Sequence, residues 1–169
     1  KAFTEDGYFR TGDAGRMEGN TLFFTERIKD LYKTSNGKYI APQAIEMVMS
    51  GDQYIEQIAV IGDQRKFVSA LIVPVYSLLE KYAEEKGLAV GSREELVRNK
   101  EVLRLIETHI EENQKNLASY EKIKRFTLLS EPFTMGSELT DTLKLRRSVI
   151  LKKYADSIEK MYEEASNLS

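Results

Sequence analysis

Two apolar runs, residues 55–62 and 67–75, constrain the fold of this chain more than any other stretch. Both are rich in Ile, Val and other apolar residues, and only Asp63-Gln64-Arg65-Lys66 separates them. Runs of this length are short for helices, and their β-branched content suits strands. They predict a hairpin at the centre of a small sheet, with Pro74 ending the second strand. Leu78, Leu79, Tyr82 and Ala83 follow at helical spacing, with Gly87 as a C-cap. Ser92-Arg93-Glu94-Glu95 has the spacing of a capping box. Val102, Leu103, Ile106, Ile110 and Leu117 then keep the helical period over residues 100–117. Residues 123–129 alternate as one more strand, and a last helix is expected from about 146 to 165, with Val149, Ile150, Tyr154, Ile158, Met161 and Tyr162 inward.

Upstream, residues 25–46 combine a charged crossing, Arg27 to Asp30, with a turn and a helix start. Asn36-Gly37 predicts a type I′ turn, which needs positive φ at both central residues. Residues 39–41 read as the return strand. Pro42 suits a first helical residue, ahead of Ile45, Val48 and Met49, and Gly51 reads as the helix stop. Residues 5–16 hold three glycines (Gly7, Gly12, Gly15) and a carboxylate, Asp13, in a turn-rich context and read as a loop, followed by a short strand at 20–24. The class is therefore α+β: a small mixed sheet flanked by helices, with an N-terminal β-hairpin.

A net charge of −2 offers no basic field for nucleic acid. There is no cysteine, which removes disulfides and thiolate chemistry together; a cytoplasmic setting is the default expectation. No run approaches the roughly 20 apolar residues of a membrane-spanning helix. The first residue is Lys1 rather than Met, so the chain is expected to be part of something longer. His109 is the only histidine and has no second His or Cys near it, so it reads as structural, and no metal site is expected.

Two candidate site residues stand out by chemistry. Asp13 follows Gly12, on a backbone that a ligand can approach closely, and its carboxylate can accept two hydrogen bonds from a vicinal diol; the alternative is a turn-stabilising Asp. Lys144 lies in a hydroxyl-rich loop just before a helix, where an ammonium could meet an anion; the alternative is a solvated surface lysine. Lys144, Arg146 and Arg147 also sit where the helix macrodipole disfavours cations, which points to a functional reason for them.

Three segments together resemble one family. Gly7-Tyr8-Phe9-Arg10-Thr11-Gly12-Asp13 resembles the ribose-binding loop of acyl- and aryl-CoA synthetases, peptide-synthetase adenylation domains and luciferases. Arg27-Ile28-Lys29-Asp30 with Gly37-Lys38-Tyr39-Ile40-Ala41-Pro42 resembles their hinge and following hairpin. Thr142-Leu143-Lys144-Leu145-Arg146-Arg147 resembles their catalytic-lysine segment, in the form found in long-chain fatty acyl-CoA synthetases. Two positions depart from the pattern: Glu26 precedes Arg27 where many members have Gly, and Leu143 precedes Lys144 where many have Gly.

The resemblance implies an AMP-forming fatty acid–CoA ligase, in which residues 1–28 end a large N-terminal domain and 29–169 form the C-terminal lid. It implies fatty acid, ATP and CoA as substrates, with Mg2+ bound mainly by the large domain, which would also be the lid's partner. Peripheral membrane contact is left open. By the same resemblance Lys144 is catalytic, Asp13 and Arg27 hold the ATP ribose, Gly37 and Lys38 lie near the CoA pantetheine, and Lys29 with Asp30 forms the hinge. The fragment alone is expected to be inactive. Alternatives are an adenylate-forming enzyme that loads a carrier-protein pantetheine, and a non-catalytic regulatory module of the lid fold.

Overall fold

The computed structural model describes residues 2–166. Strands β1 (Asp13–Glu18) and β2 (Thr21–Arg27) form an antiparallel hairpin. The predicted loop at 5–16 thus ends earlier than expected, because Asp13 already pairs with Arg27, and the strand placed at 20–24 extends to meet it. A single 3-10 turn, Ile28–Asp30, flanked by extended residues Arg27 and Leu31, links this hairpin to the rest.

Strands β3 (Tyr32–Lys33) and β4 (Tyr39–Ile40) form a second small hairpin. Its turn is not type I′. Only Gly37 has positive φ, at 79°, and Asn36 does not. The loop is longer, with the Gly37 N–H donating to Thr34 O (2.9 Å) and the Thr34 N–H to Lys38 O (2.9 Å). The Thr34 hydroxyl, which also accepts from the Lys38 N–H at 3.1 Å, favours this wider closure. The hairpin rests on the loop after β5: Ser35 N–H donates to Arg65 O, and Lys33 N–H to the Asp63 carboxylate.

Helix α1 (Pro42–Met49) begins on its proline as expected. It ends at Ser50 in a right-handed conformation, so Gly51 is not its cap, and Val48 is exposed while Ile45 and Met49 are buried. The predicted central hairpin is present as β5 (Ile55–Ile61) antiparallel to β6 (Val68–Pro74). Every residue of β6 is buried, the pattern of a strand covered on both faces. After α2 (Tyr76–Glu85), capped by Gly87 at φ 65°, the capping-box segment makes only a short helix, α3 (Arg93–Leu96). A separate helix, α4 (Lys100–Asn113), starts on an Asn99 cap and buries Val102, Ile106 and Ile110.

This helical crossover lets β7 (Ile123–Leu128) pair in parallel with β6, giving a mixed three-stranded sheet of order β5-β6-β7. The expected last helix is two helices, α5 (Arg147–Lys153) and α6 (Ala155–Ser166), broken at Tyr154. The break turns the Tyr154 hydroxyl toward the Glu138 carboxylate. Ile150, Ile158 and Met161 still join the core. The fold is α+β, with small sheets flanked by helices.

Candidate functional site

Asp13 and Arg27 face each other across the first hairpin, with Nε of Arg27 3.6 Å from Oδ1 of Asp13. The Asp13 N–H donates to the Thr11 hydroxyl at 3.2 Å. Among the described residues the Asp13 carboxylate meets only Arg27. Residues 9–13 and 27–29 enclose a cavity of about 710 Å3. A carboxylate with free lone pairs beside a guanidinium in such a cavity can take a vicinal diol. The side chain of Glu26 lies outside the described residues.

Lys29 and Asp30 lie in the 3-10 turn that joins this hairpin to the rest. On its other side that turn borders a second cleft, of about 950 Å3, lined by Arg27, Lys29, Asp30, Glu46, Lys144 and Arg147 among others. Residues far apart in sequence, Arg27 and Lys144, thus share one cleft.

Lys144 is carried on a small hairpin. Leu139 pairs antiparallel with Leu145. The Thr140 N–H donates to Lys144 O (2.9 Å), and the Lys144 N–H donates to the Thr140 hydroxyl (3.0 Å). Leu143 occupies the tip at φ 60°, a left-handed conformation that a branched aliphatic residue adopts at a cost of about 1–2 kcal/mol. The Lys144 side chain is exposed and meets no acidic or carbonyl partner among the described residues. Its fixed backbone and free ammonium suit electrostatic contact with an anion entering the cleft.

The neighbouring arginines have structural partners. Arg147 bonds Glu46 of α1 through both terminal nitrogens, at 2.8 and 2.9 Å, and lies over the Tyr32 ring. Arg146 donates to the carbonyls of Gly136 and Ser137. Their positions at a helix start are thus explained by packing, and only Lys144 keeps the functional reading first given to all three. Burial would lower the Arg147 pKa, but the Glu46 carboxylate outweighs it and holds the guanidinium more firmly charged.

Glu138, which the sequence did not single out, is fully buried beneath this hairpin. Burial would raise its pKa; the Lys153 ammonium and the Thr134 N–H outweigh that and hold it at about 2. A glutamate between a serine and a leucine in a hydroxyl-rich stretch carries no sequence signal of burial.

Gly37 and Lys38 lie apart from both clefts. Gly37 is on an exposed turn where an added Cβ would meet nothing, and the Lys38 ammonium stands 5.5 Å from the Tyr120 ring. His109 bonds the Asp52 carboxylate at 2.7 Å and lies edge-on to Tyr54, a structural role as expected. Among the described residues no group of His, Cys, Asp and Glu could hold a metal ion. The described residues do not fit Mg2+.

The family described as AMP-binding enzyme C-terminal domain matches residues 29–166. The chain belongs to this family. Among curated relatives, this AMP-binding enzyme C-terminal domain is 32% identical to a long-chain-fatty-acid–CoA ligase of Mycobacterium tuberculosis over 167 residues, 97% of this chain and 28% of the relative. It is 35% identical to long-chain-fatty-acid–CoA ligase 5 of Mus musculus over 164 residues, 94% of this chain and 24% of the relative. The chain thus spans about a quarter of the length of these relatives. Among solved structures, the adenylation domain of a carboxylate reductase from Mycobacterium chelonae superimposes with a TM-score of 0.73 at 29% identity, covering 96% of this chain and 24% of that one. The corresponding domain from Segniliparus rugosus, in complex with AMP and a co-purified carboxylic acid, gives 0.73 at 25% identity, covering 97% and 24%.

Proposed function

We propose that this chain is the C-terminal part of a fatty acid–CoA ligase that joins a fatty acid to ATP, releases pyrophosphate, and passes the acyl adenylate to the thiol of CoA. The observation that carries this reading is the Lys144 ammonium, without a partner among the described residues, on a fixed hairpin across one cleft from Arg27. Identity to long-chain-fatty-acid–CoA ligases over nearly the whole chain supports the acyl class.

In this reading residues 1–28 end a large N-terminal domain and 29–169 form a lid. The family match beginning at residue 29 supports that division. Asp13 accepts from the ribose hydroxyls of ATP and Arg27 donates to the same sugar. Lys144 neutralises charge developing at the α-phosphate and the substrate carboxylate, a contribution of about 10²- to 10³-fold in rate for a fixed donor in a water-poor site. For thioester formation, Lys29 and Asp30 absorb the dihedral change that swings Lys144 away and brings Gly37 and Lys38 toward the pantetheine. One 3-10 turn between extended residues is a short enough link for such a rotation.

The test separates the half-reactions in the full-length protein. Lys144→Ala should lower pyrophosphate release from fatty acid and ATP by at least about 100-fold, while thioester formation from supplied acyl adenylate and CoA is retained. Equal loss in both steps would refute the role given to Lys144. A second reading, transfer to a carrier-protein pantetheine, is favoured by the superposition on carboxylate reductase adenylation domains. Offering CoA and a pantetheinylated carrier protein in parallel decides between the acceptors.

A further inference from the structure

We propose that Glu138 is a positioning residue for Lys144, fixing the lysine hairpin to α5 so that the ammonium is aligned for adenylation. The inference rests on the adenylation role given to Lys144 above.

The carboxylate sits at the base of that hairpin with all its capacity used. One oxygen accepts from the Thr134 N–H (3.1 Å) and the Thr134 hydroxyl (3.3 Å). The other accepts from the Lys153 ammonium and from the Tyr154 hydroxyl (3.3 Å), both at the end of α5. The same residue's carbonyl accepts from the Arg146 N–H at 2.7 Å, closing the hairpin on the far side of Lys144. The Arg147–Glu46 pair ties the start of α5 to α1. Both ends of α5 are thereby anchored, and the Lys144 hairpin runs between Glu138 and the anchored start of that helix.

Stability alone is a weak reason for such a group. The Glu138 carboxylate loses its hydration, while its Lys153 partner stays 47% exposed and is screened by solvent, so the pair itself adds little, and an apolar replacement of a buried charge is often as stable. What a four-bonded carboxylate supplies, and an apolar side chain does not, is a single direction for the loop it holds. A lysine that acts through charge needs that direction, because a misplacement of about 1 Å from a remote change can cost about 100-fold in rate.

The experiment uses the full-length protein with Glu138→Gln and Tyr154→Phe, and Lys144→Ala as control. Pyrophosphate release with fatty acid and ATP is followed separately from thioester formation with supplied acyl adenylate and CoA. For Glu138→Gln the expected result is a fall in adenylation kcat of about 10- to 100-fold, with the KM for ATP and the thioester step little changed. Tyr154→Phe, which removes one bond and keeps the charge pair, should show the same selective loss at about 3- to 10-fold. It decides the matter should Glu138→Gln fail to fold. Parallel loss of both steps, or no loss in either, would overturn the proposal. Intact adenylation in Lys144→Ala would remove the underlying reading as well, whereas intact adenylation in the Glu138 and Tyr154 variants alone removes only this inference.

Discussion

Arg147 and Glu46, at the starts of α5 and within α1, are joined by two parallel hydrogen bonds of 2.8 and 2.9 Å across 101 residues of sequence. The same glutamate oxygen accepts the Val60 N–H of β5 at 2.9 Å, so one carboxylate ties a helix, the sheet and the segment after Lys144. Both side chains are largely buried, at 25% and 13% exposure. Removing one member leaves the other charge without its partner. Glu46→Ala should therefore cost about 3–5 kcal/mol in chemical denaturation. Arg147→Lys keeps the charge but loses the fork, and should cost about 1–2 kcal/mol. Equal stability of Arg147→Lys and the parent would show that the paired geometry contributes nothing.

The hairpin tip offers a test of backbone strain. Leu143 holds φ at 60° with its side chain exposed at 65%, so no packing compensates the conformation. Asn tolerates the left-handed region and avoids glycine's loss of freedom on folding. Leu143→Asn should stabilise the fold by about 0.5–1 kcal/mol, and Leu143→Val should destabilise it by at least about 1 kcal/mol, because β-branched residues are poorly suited to positive φ. Thermal unfolding of the two variants against the parent reads the difference; the opposite order would contradict the strain argument.

The central β5–β6 hairpin was legible because an apolar run broken by four charged or amide residues has few other solutions. Pro42 and Gly87 were legible for the same local reason: each suits a conformation that few residues prefer. The failures are tertiary. Nothing in the local pattern reveals that Thr34 closes the β3–β4 turn more widely than Asn36-Gly37 would, or that Tyr154 breaks the last helix to reach Glu138. Asp13, Arg27 and Lys144 could be picked out as site candidates by residue type and resemblance. Their convergence on adjoining clefts, and the buried carboxylate under Lys144, depend on partners more than ten residues away.

At the cavity beside Asp13 and Arg27, replacing charge without changing shape isolates the Asp13 carboxylate and tests the ribose role proposed for it. Asp13→Asn in the full-length protein should weaken AMP binding by about 10- to 100-fold, the loss of roughly 1.5–3 kcal/mol expected for hydrogen bonds to a charged acceptor. Calorimetric titration with AMP reads it directly. Unaltered affinity would place the ribose elsewhere.

Acid should unfold this domain through depressed carboxylates, chiefly the buried Glu138 and Asp52; the exposed Glu159, lowered by its bond to Arg65, adds less. Glu138 is held at about 2 against an ordinary 4.5. Burial works against Asp52, yet the Tyr54 N–H, His109 and Asn113 together hold its pKa below the usual value. A carboxylate with a lowered folded pKa contributes stability that is complete above its unfolded pKa and disappears as pH falls toward the folded one. At about 1.4 kcal/mol per pH unit, Glu138 alone contributes up to roughly 3 kcal/mol, present at pH 6 and lost between about pH 4.5 and 2. Denaturation midpoints should therefore be flat from pH 7 to 5 and fall steeply below about 4.5. In Glu138→Gln the steep fall should shrink, leaving the smaller share that belongs to Asp52 and Glu159; an undiminished acid slope in that variant would show that the Glu138 carboxylate is not what the folded state keeps ionised.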